Sequence, residues 1–287
     1  MDFIHRGNSV QNKPGGLYYT ITGLINLIEK NCSIFPVTEI DNNYNSELEN
    51  IVSKTDNSYV KISDKMPKVH LYLQEGKERI EKFENLGGTL DLDEFLISKR
   101  EYDGILINMI NGFDISTDDL IKIRASFHCP IYIDIHTLSR GIDENGQRYF
   151  RKVPQKEIWL SNVDIIQTNE YELDTISEGN NEFEKANSIL QYDCSVLLIT
   201  KGDRGAVLYA KENGELIRLF VPSIKTSGEN NVGCGDIFGA AFFYSYICSN
   251  SIYESLRFAN TAAGVITSYT EFDDYNNLKN DISKEFY

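Results

Sequence analysis

Four short apolar runs, each bounded by turn residues, set the tightest limit on what this chain can fold into. They are YDGILINMI (102–110), CPIYIDIH (129–136), NVDIIQT (162–168) and CSVLLIT (194–200). Runs of this length, apolar without strict alternation, read as strands buried on both faces. DDLIKIRASF (118–127) between them has the spacing of an amphipathic helix, and another helix begins near Asn169. LYYTITGLINLIEK (17–30) is helical by the same test. Alternation of this kind predicts a three-layer α/β/α fold on a mostly parallel, doubly wound sheet. Ligands of such sheets lie outside the carboxyl ends of the strands.

The length of 287 residues suits one such domain. Segment 53–90 mixes polar turns with β-like pieces such as KVHLYL and reads, with residues 8–16, as a small β lid. SRGIDENGQRYFRKVP (139–154) reads as a hairpin-like excursion. A formal net charge of -15 disfavours DNA, RNA and anionic membranes as partners. Any anionic ligand must therefore be held by local devices such as backbone N–H groups. The five cysteines are widely spaced and contain no C-x-x-C pair, which argues against a disulfide framework or zinc site. The N-terminus has no signal-peptide pattern and no stretch is long and apolar enough to span a membrane, so the expectation is a cytoplasmic protein.

GENNVGCGDIFGAAFFYSY (228–246) carries the most chemistry. Gly233, Cys234, Gly235 and Asp236 sit where a loop enters a helix that is apolar nearly all round. Helix N-termini offer N–H groups and a positive dipole end, and glycine lets the backbone approach a ligand. Together they suit a phosphate, or the charge that develops as one is transferred. A carboxylate beside that anion makes sense as a general base. The plainer reading is that Asp236 only charges the first turn of the helix. A dinucleotide fingerprint is disfavoured, because too little chain follows it.

The stretch resembles the D-T-x-G-A-G-D signature of ribokinase-like carbohydrate kinases, the PfkB family, with Asn230 to Asp236 in its place. Other motifs follow in the family's order: the glycine pair Gly15 and Gly16, N-x-x-E at Asn169 and Glu172, T-x-G-x-x-G at Thr200, Gly202 and Gly205, and LRFANTAAGVI around Asn260 and Ala263. The resemblance implies an ATP- and Mg²⁺-dependent kinase of sugars or sugar-like alcohols. It implies Asp236 as base and the N–H groups of 233–236 as anion hole. Thr200, Gly202, Gly205, Asn260 and Ala263 would face ATP. Asp2, Gly15 and Gly16 would face the acceptor, as would His136 in the place of the family's asparagine, and Asn108 and Asn111, at another strand end, are within reach of it. Asn169 and Glu172 would orient Mg²⁺ or its waters, although Asn followed three residues later by Glu is also a capping-box pattern. A homodimer through the lid, as in some relatives, is compatible with it.

Departures from the pattern matter. Asn230 and Asn231 replace the signature's Asp and Thr, which leaves a monovalent-cation (K⁺) site unsupported. Cys234 replaces alanine, and a thiol at a helix N-terminus is expected to ionise readily. Almost no strand precedes Asp2, so the first strand reads as truncated. Two alternatives stay open: a nucleoside kinase of the same fold, and a member that binds nucleotide or sugar without turnover.

Overall fold

Strand and helix alternate as the apolar runs predict, after an N-terminal region built differently. The computed structural model describes residues 1–286 apart from 7, 8, 42–45, 65, 73–79, 225–227 and 229. The chain opens with β1 (Asp2–Arg6) and β2 (Ser9–Lys13), then α1 (Gly16–Leu27), β3 (Thr38–Ile40), α2 (Ser46–Lys54) and β4 (Val60–Ile62). β5 (Lys68–Tyr72), β6 (Ile80–Asn85) and the short α3 (Asp93–Leu96) follow. A four-stranded sheet forms in the order β2-β1-β5-β6, and β3 and β4 make a separate parallel pair. These small sheets are the lid region, which draws on Asp2–Arg6 as well as on the segments anticipated. Residues 8, 65 and 73–79 of the anticipated lid lie outside the described residues.

From β7 (Ile105–Asn108) the chain runs through α4 (Thr117–Ser126), β8 (Ile131–Asp134), β9 (Arg140–Ile142), β10 (Arg148–Phe150) and α5 (Lys156–Asn162). It continues with β11 (Ile165–Asn169), α6 (Glu170–Ile176), α7 (Glu182–Ile189), β12 (Val196–Thr200), β13 (Ala206–Glu212) and β14 (Glu215–Val221). It ends with α8 (Cys234–Ser249), α9 (Ile252–Val265) and α10 (Leu278–Phe286). The central sheet has the order β14-β13-β12-β11-β8-β7. β7, β8, β11 and β12 pair in parallel and β13 runs antiparallel to both of its neighbours, so the sheet is mixed but mostly parallel, as the sequence predicts. The cause is local. A turn at 201–205 joins β12 to β13 directly, and a connection that short permits only an antiparallel return. β9 and β10 form the expected hairpin.

Successive strand residues feed opposite faces of the sheet. Tyr132, Ile165, Val196 and Leu198 pack with Phe238, Ala241 and Phe242 of α8 and with Ala259 of α9. Ile133, Ile166, Leu197 and Ile199 pack with Leu120 of α4, Trp159 and Leu160 of α5, Leu173 of α6 and Ile189 of α7. Trp159 is thus a packing residue. Burying a side chain such as Phe242 (0% exposed) contributes roughly 1.5–3 kcal/mol. Register places Asn108 beside Asp134, Asp134 beside Gln167, and Asn169 beside Thr200, which gathers polar side chains at one edge of the sheet, at the carboxyl ends of the parallel strands. Among the described residues no helix is long and apolar enough to cross a membrane.

Candidate active site

The N-terminus of α8 meets this strand edge. Gly233 takes φ +83°, and a Cβ there would lie 2.6 Å from the Tyr19 ring, so the turn into the helix requires glycine. The first bond within the helix runs from Ile237 N to Gly233 O at 2.9 Å. The N–H groups ahead of it belong to the turn that has no helical acceptor.

Asp236 stands in this turn. Asn108, the last residue of β7, donates from Nδ2 to Asp236 Oδ1 at 2.7 Å and to Thr20 Oγ1 of α1 at 2.7 Å. Gly16 lies so close that an added Cβ would be 2.9 Å from Asp236 Oδ1. A Cβ on Gly15 would lie 3.1 Å from Asp2 Oδ1. Asp2, Gly15, Gly16 and Asp236, with Asp2 and Asp236 lying 234 residues apart in sequence, therefore converge. Asp2 occupies the first position of β1.

Asn111 does not join them. It is 2% exposed, donates to Leu86 O at 2.9 Å and accepts from Phe113 N at 2.7 Å, which commits it to turn building. Of the two strand-end asparagines, Asn108 turns toward Asp236 and Asn111 does not. Gln167 is a residue that sequence reasoning missed. Its Nε2 donates to Asp134 Oδ2 at 2.7 Å and to Gly235 O at 3.1 Å, and its Oε1 accepts from Tyr132 OH. A lone amide inside the apolar run DIIQT was the available signal, because a buried amide must find partners.

Asn169 and Glu172 form a complete capping box at the start of α6. Asn169 Oδ1 accepts from Tyr171 N and Glu172 N, both at 2.9 Å, and Glu172 Oε2 accepts from Asn169 N at 2.8 Å. Glu172 Oε1 pairs with His136 Nδ1 at 2.7 Å and Arg140 Nη1 at 2.8 Å. Burial opposes ionisation of Glu172, but His136 and Arg140 outweigh it and hold the carboxyl down to about 2. Both oxygens are engaged and the charge is already neutralised, so the pair does not fit a directly coordinated Mg²⁺. No group of three His, Cys, Asp or Glu side chains suited to a metal occurs among the described residues.

His136 does not sit alone facing an acceptor. Its Nε2 lies 3.4 Å from Glu81 Oε1 on β6, and Glu81 pairs with Arg148 of β10 at 3.0 Å. Burial and the Arg140 charge oppose protonation of His136, yet Glu81 and Glu172 raise its pKa. Nearby, burial and the Glu172 charge push Asp134 up to about 7.

The remaining predicted residues lie along β12, β13 and α9. Gly205 has φ +108°, and a side chain there would run into Val221 O. Thr200 Oγ1 donates to Thr168 O at 3.3 Å, and Gly202 is exposed with open space around it. Asn260 is buried and donates to Pro222 O at 2.8 Å, while Ala263 packs on the α8 core. Ile224 presses on Gly264 where α9 ends. Cys234 departs from expectation. Burial and the Asp236 charge push its thiol up to about 12, against the lowering a helix N-terminus alone would give.

Residues 142–276 match the model of the pfkB family carbohydrate kinases. The chain is 28% identical over 127 residues to 5-dehydro-2-deoxygluconokinase of Lacticaseibacillus casei, a match taking in 44% of this chain and 36% of that protein. A pyrophosphate-dependent kinase of the ribokinase family, solved with sulfate, superposes with a TM-score of 0.76 at 15% identity over 95% of this chain and 94% of that one. Arabidopsis thaliana ribokinase complexed with ribose and ATP superposes with a TM-score of 0.72 at 16% identity over 99% and 94%. The chain carries the ribokinase-like fold, and its residues 142–276 are similar to the pfkB family of carbohydrate kinases.

Proposed function

We propose that this protein transfers a phosphoryl group to a hydroxyl of a sugar or sugar-like alcohol, with Asp236 as general base. The observation that carries this reading is the convergence of Asp236 on Gly16 at the N-terminal turn of α8, with Asp2 against the adjacent Gly15. A hydroxyl held there loses its proton to the Asp236 carboxylate as its oxygen bonds to the terminal phosphorus of the donor. The bond from that phosphorus to the leaving oxygen breaks, and the charge on the phosphoryl oxygens faces the N–H groups of Gly233, Cys234, Gly235 and Asp236. Positioning and charge stabilisation supply the rate in such reactions, since the phosphoryl group demands little covalent help.

ATP is the donor in the first reading, held along the Thr200–Gly205 turn and α9. One observation favours a second donor, pyrophosphate. Ile224 against Gly264 and the Asn260–Pro222 bond draw the chain after β14 onto α9, the side on which a nucleoside would rest. The test is phosphate-donor consumption with ATP and with pyrophosphate across sugars, cyclic polyols and nucleosides, for wild type and Asp236→Asn. Acceptor-dependent turnover that falls at least about 100-fold in the variant supports the reading. Undiminished turnover in Asp236→Asn refutes the assignment of the base. Nucleotide or sugar binding without turnover on any acceptor favours the silent member of the family.

A further inference from the structure

We infer that Asn108 is the positioning residue for the proposed base, holding the Asp236 carboxylate in place at the N-terminal turn of α8. The inference rests on the reading of Asp236 given above. The Asn108 side chain bridges three elements. It springs from the end of β7, bonds Thr20 on α1 and bonds Asp236 on α8. The amide orientation is fixed by chemistry, because an ionised carboxylate only accepts and the NH₂ must face it. Both amide hydrogens are then committed, one to Thr20 Oγ1 and one to Asp236 Oδ1, each at 2.7 Å.

Thr20 is 2% exposed and cannot yield, so the amide is clamped from behind. The Asp236 carboxylate is thereby held through Oδ1 to the end of β7, beside Gly16. A neutral amide suits this task. Lysine or arginine in its place would stabilise the carboxylate and weaken it as a base, whereas a second carboxylate would compete for the same proton.

Three variants test this by steady-state kinetics over pH, with thermal unfolding as the check on folding. Asn108→Ala removes the clamp and is expected to lower kcat about 100-fold, the order of loss for a reacting group displaced by an ångström, with acceptor KM little changed. Asn108→Asp keeps the volume, places two carboxyls at hydrogen-bond distance and is expected to move the acidic limb of the kcat/KM profile upward by about one pH unit or more. Should Asn108→Ala not fold, the Asn108→Asp profile decides alone. Asp236→Asn separates the two claims. If it stays active, the base assignment falls. If it is inactive while Asn108→Ala turns over like wild type, or Asn108→Asp leaves the acidic limb in place, the base stands and the positioning role is overturned. A rise in KM at constant kcat in Asn108→Ala would make Asn108 an acceptor contact and would equally overturn it.

Discussion

Two carboxylates at the same sheet edge are held in opposite ways. Asp236, at the start of α8, is met by the neutral amide of Asn108. Glu172, in the first turn of α6, is met by the Arg140 guanidinium, the His136 ring and a backbone N–H. Both head helices that follow the strand ends, and both carry a motif of the same family. A carboxylate whose charge is balanced by cations is committed to holding the structure, because releasing it would strand buried charge. A neutral amide donor leaves a carboxylate its charge, which suits the role of base proposed for Asp236.

The sharpest way to break this contrast is to remove each carboxylate. Asp236→Asn should leave the melting temperature close to wild type while activity falls by at least about 100-fold. Glu172→Leu should do the converse to the fold, with a loss of about 3–5 kcal/mol in urea titrations, because Arg140 and His136 stay buried without their partner. Equal stability of the two variants would erase the distinction.

pH sharpens it next. The Glu172 carboxyl lies below its unfolded value, so its contribution is complete above about pH 4.5 and is lost as pH falls toward 2. His136 is raised, so its contribution is complete below about 6.5 and is lost as pH climbs through its folded value. Asp134 at about 7 binds its proton more tightly folded than unfolded, which makes stability decline between about pH 4 and 7. Urea midpoints across pH 3 to 8 should thus peak on the acid side of neutrality. Glu172→Gln should flatten the acid limb, and an unchanged acid limb in that variant would remove the carboxylate from the account.

Smaller effects follow. Gly205→Ala should cost about 1–3 kcal/mol, from a positive φ and a contact with Val221 O, measurable in the same titrations. Cys234, with its thiol pushed up to about 12, should react with iodoacetamide at pH 8 more slowly than the exposed Cys32 and Cys248. Mass spectrometry of partially labelled protein would show the order, and early labelling of Cys234 would contradict it.

The sequence was most readable where one residue dictates its own surroundings. The four apolar runs became β7, β8, β11 and β12, and Asn169 and Glu172 formed their capping box, because periodicity and capping are local. Gly233 was readable as a turn that only glycine permits. The partners were not. Nothing local says that Asn108 rather than Asn111 turns toward Asp236, or that Arg140 and His136 close on Glu172. Those depend on strand register and on a hairpin whose destination lies far away in the chain.

That hairpin also bears on mechanics. β6 is stitched to the β9–β10 turn by Phe83 N to Gly146 O at 2.7 Å, by the Lys82–Gln147 bridge and by the buried Glu81–Arg148 pair. The four-stranded sheet is thus anchored at its far edge as well as where β1 leads through β2 to α1. A flap on one hinge swings freely, whereas a plate fixed along two opposite margins can only slide or flex. Motion of this sheet should therefore be shear rather than swing, and the hairpin's grip should be readable in how slowly the Phe83 amide exchanges its hydrogen.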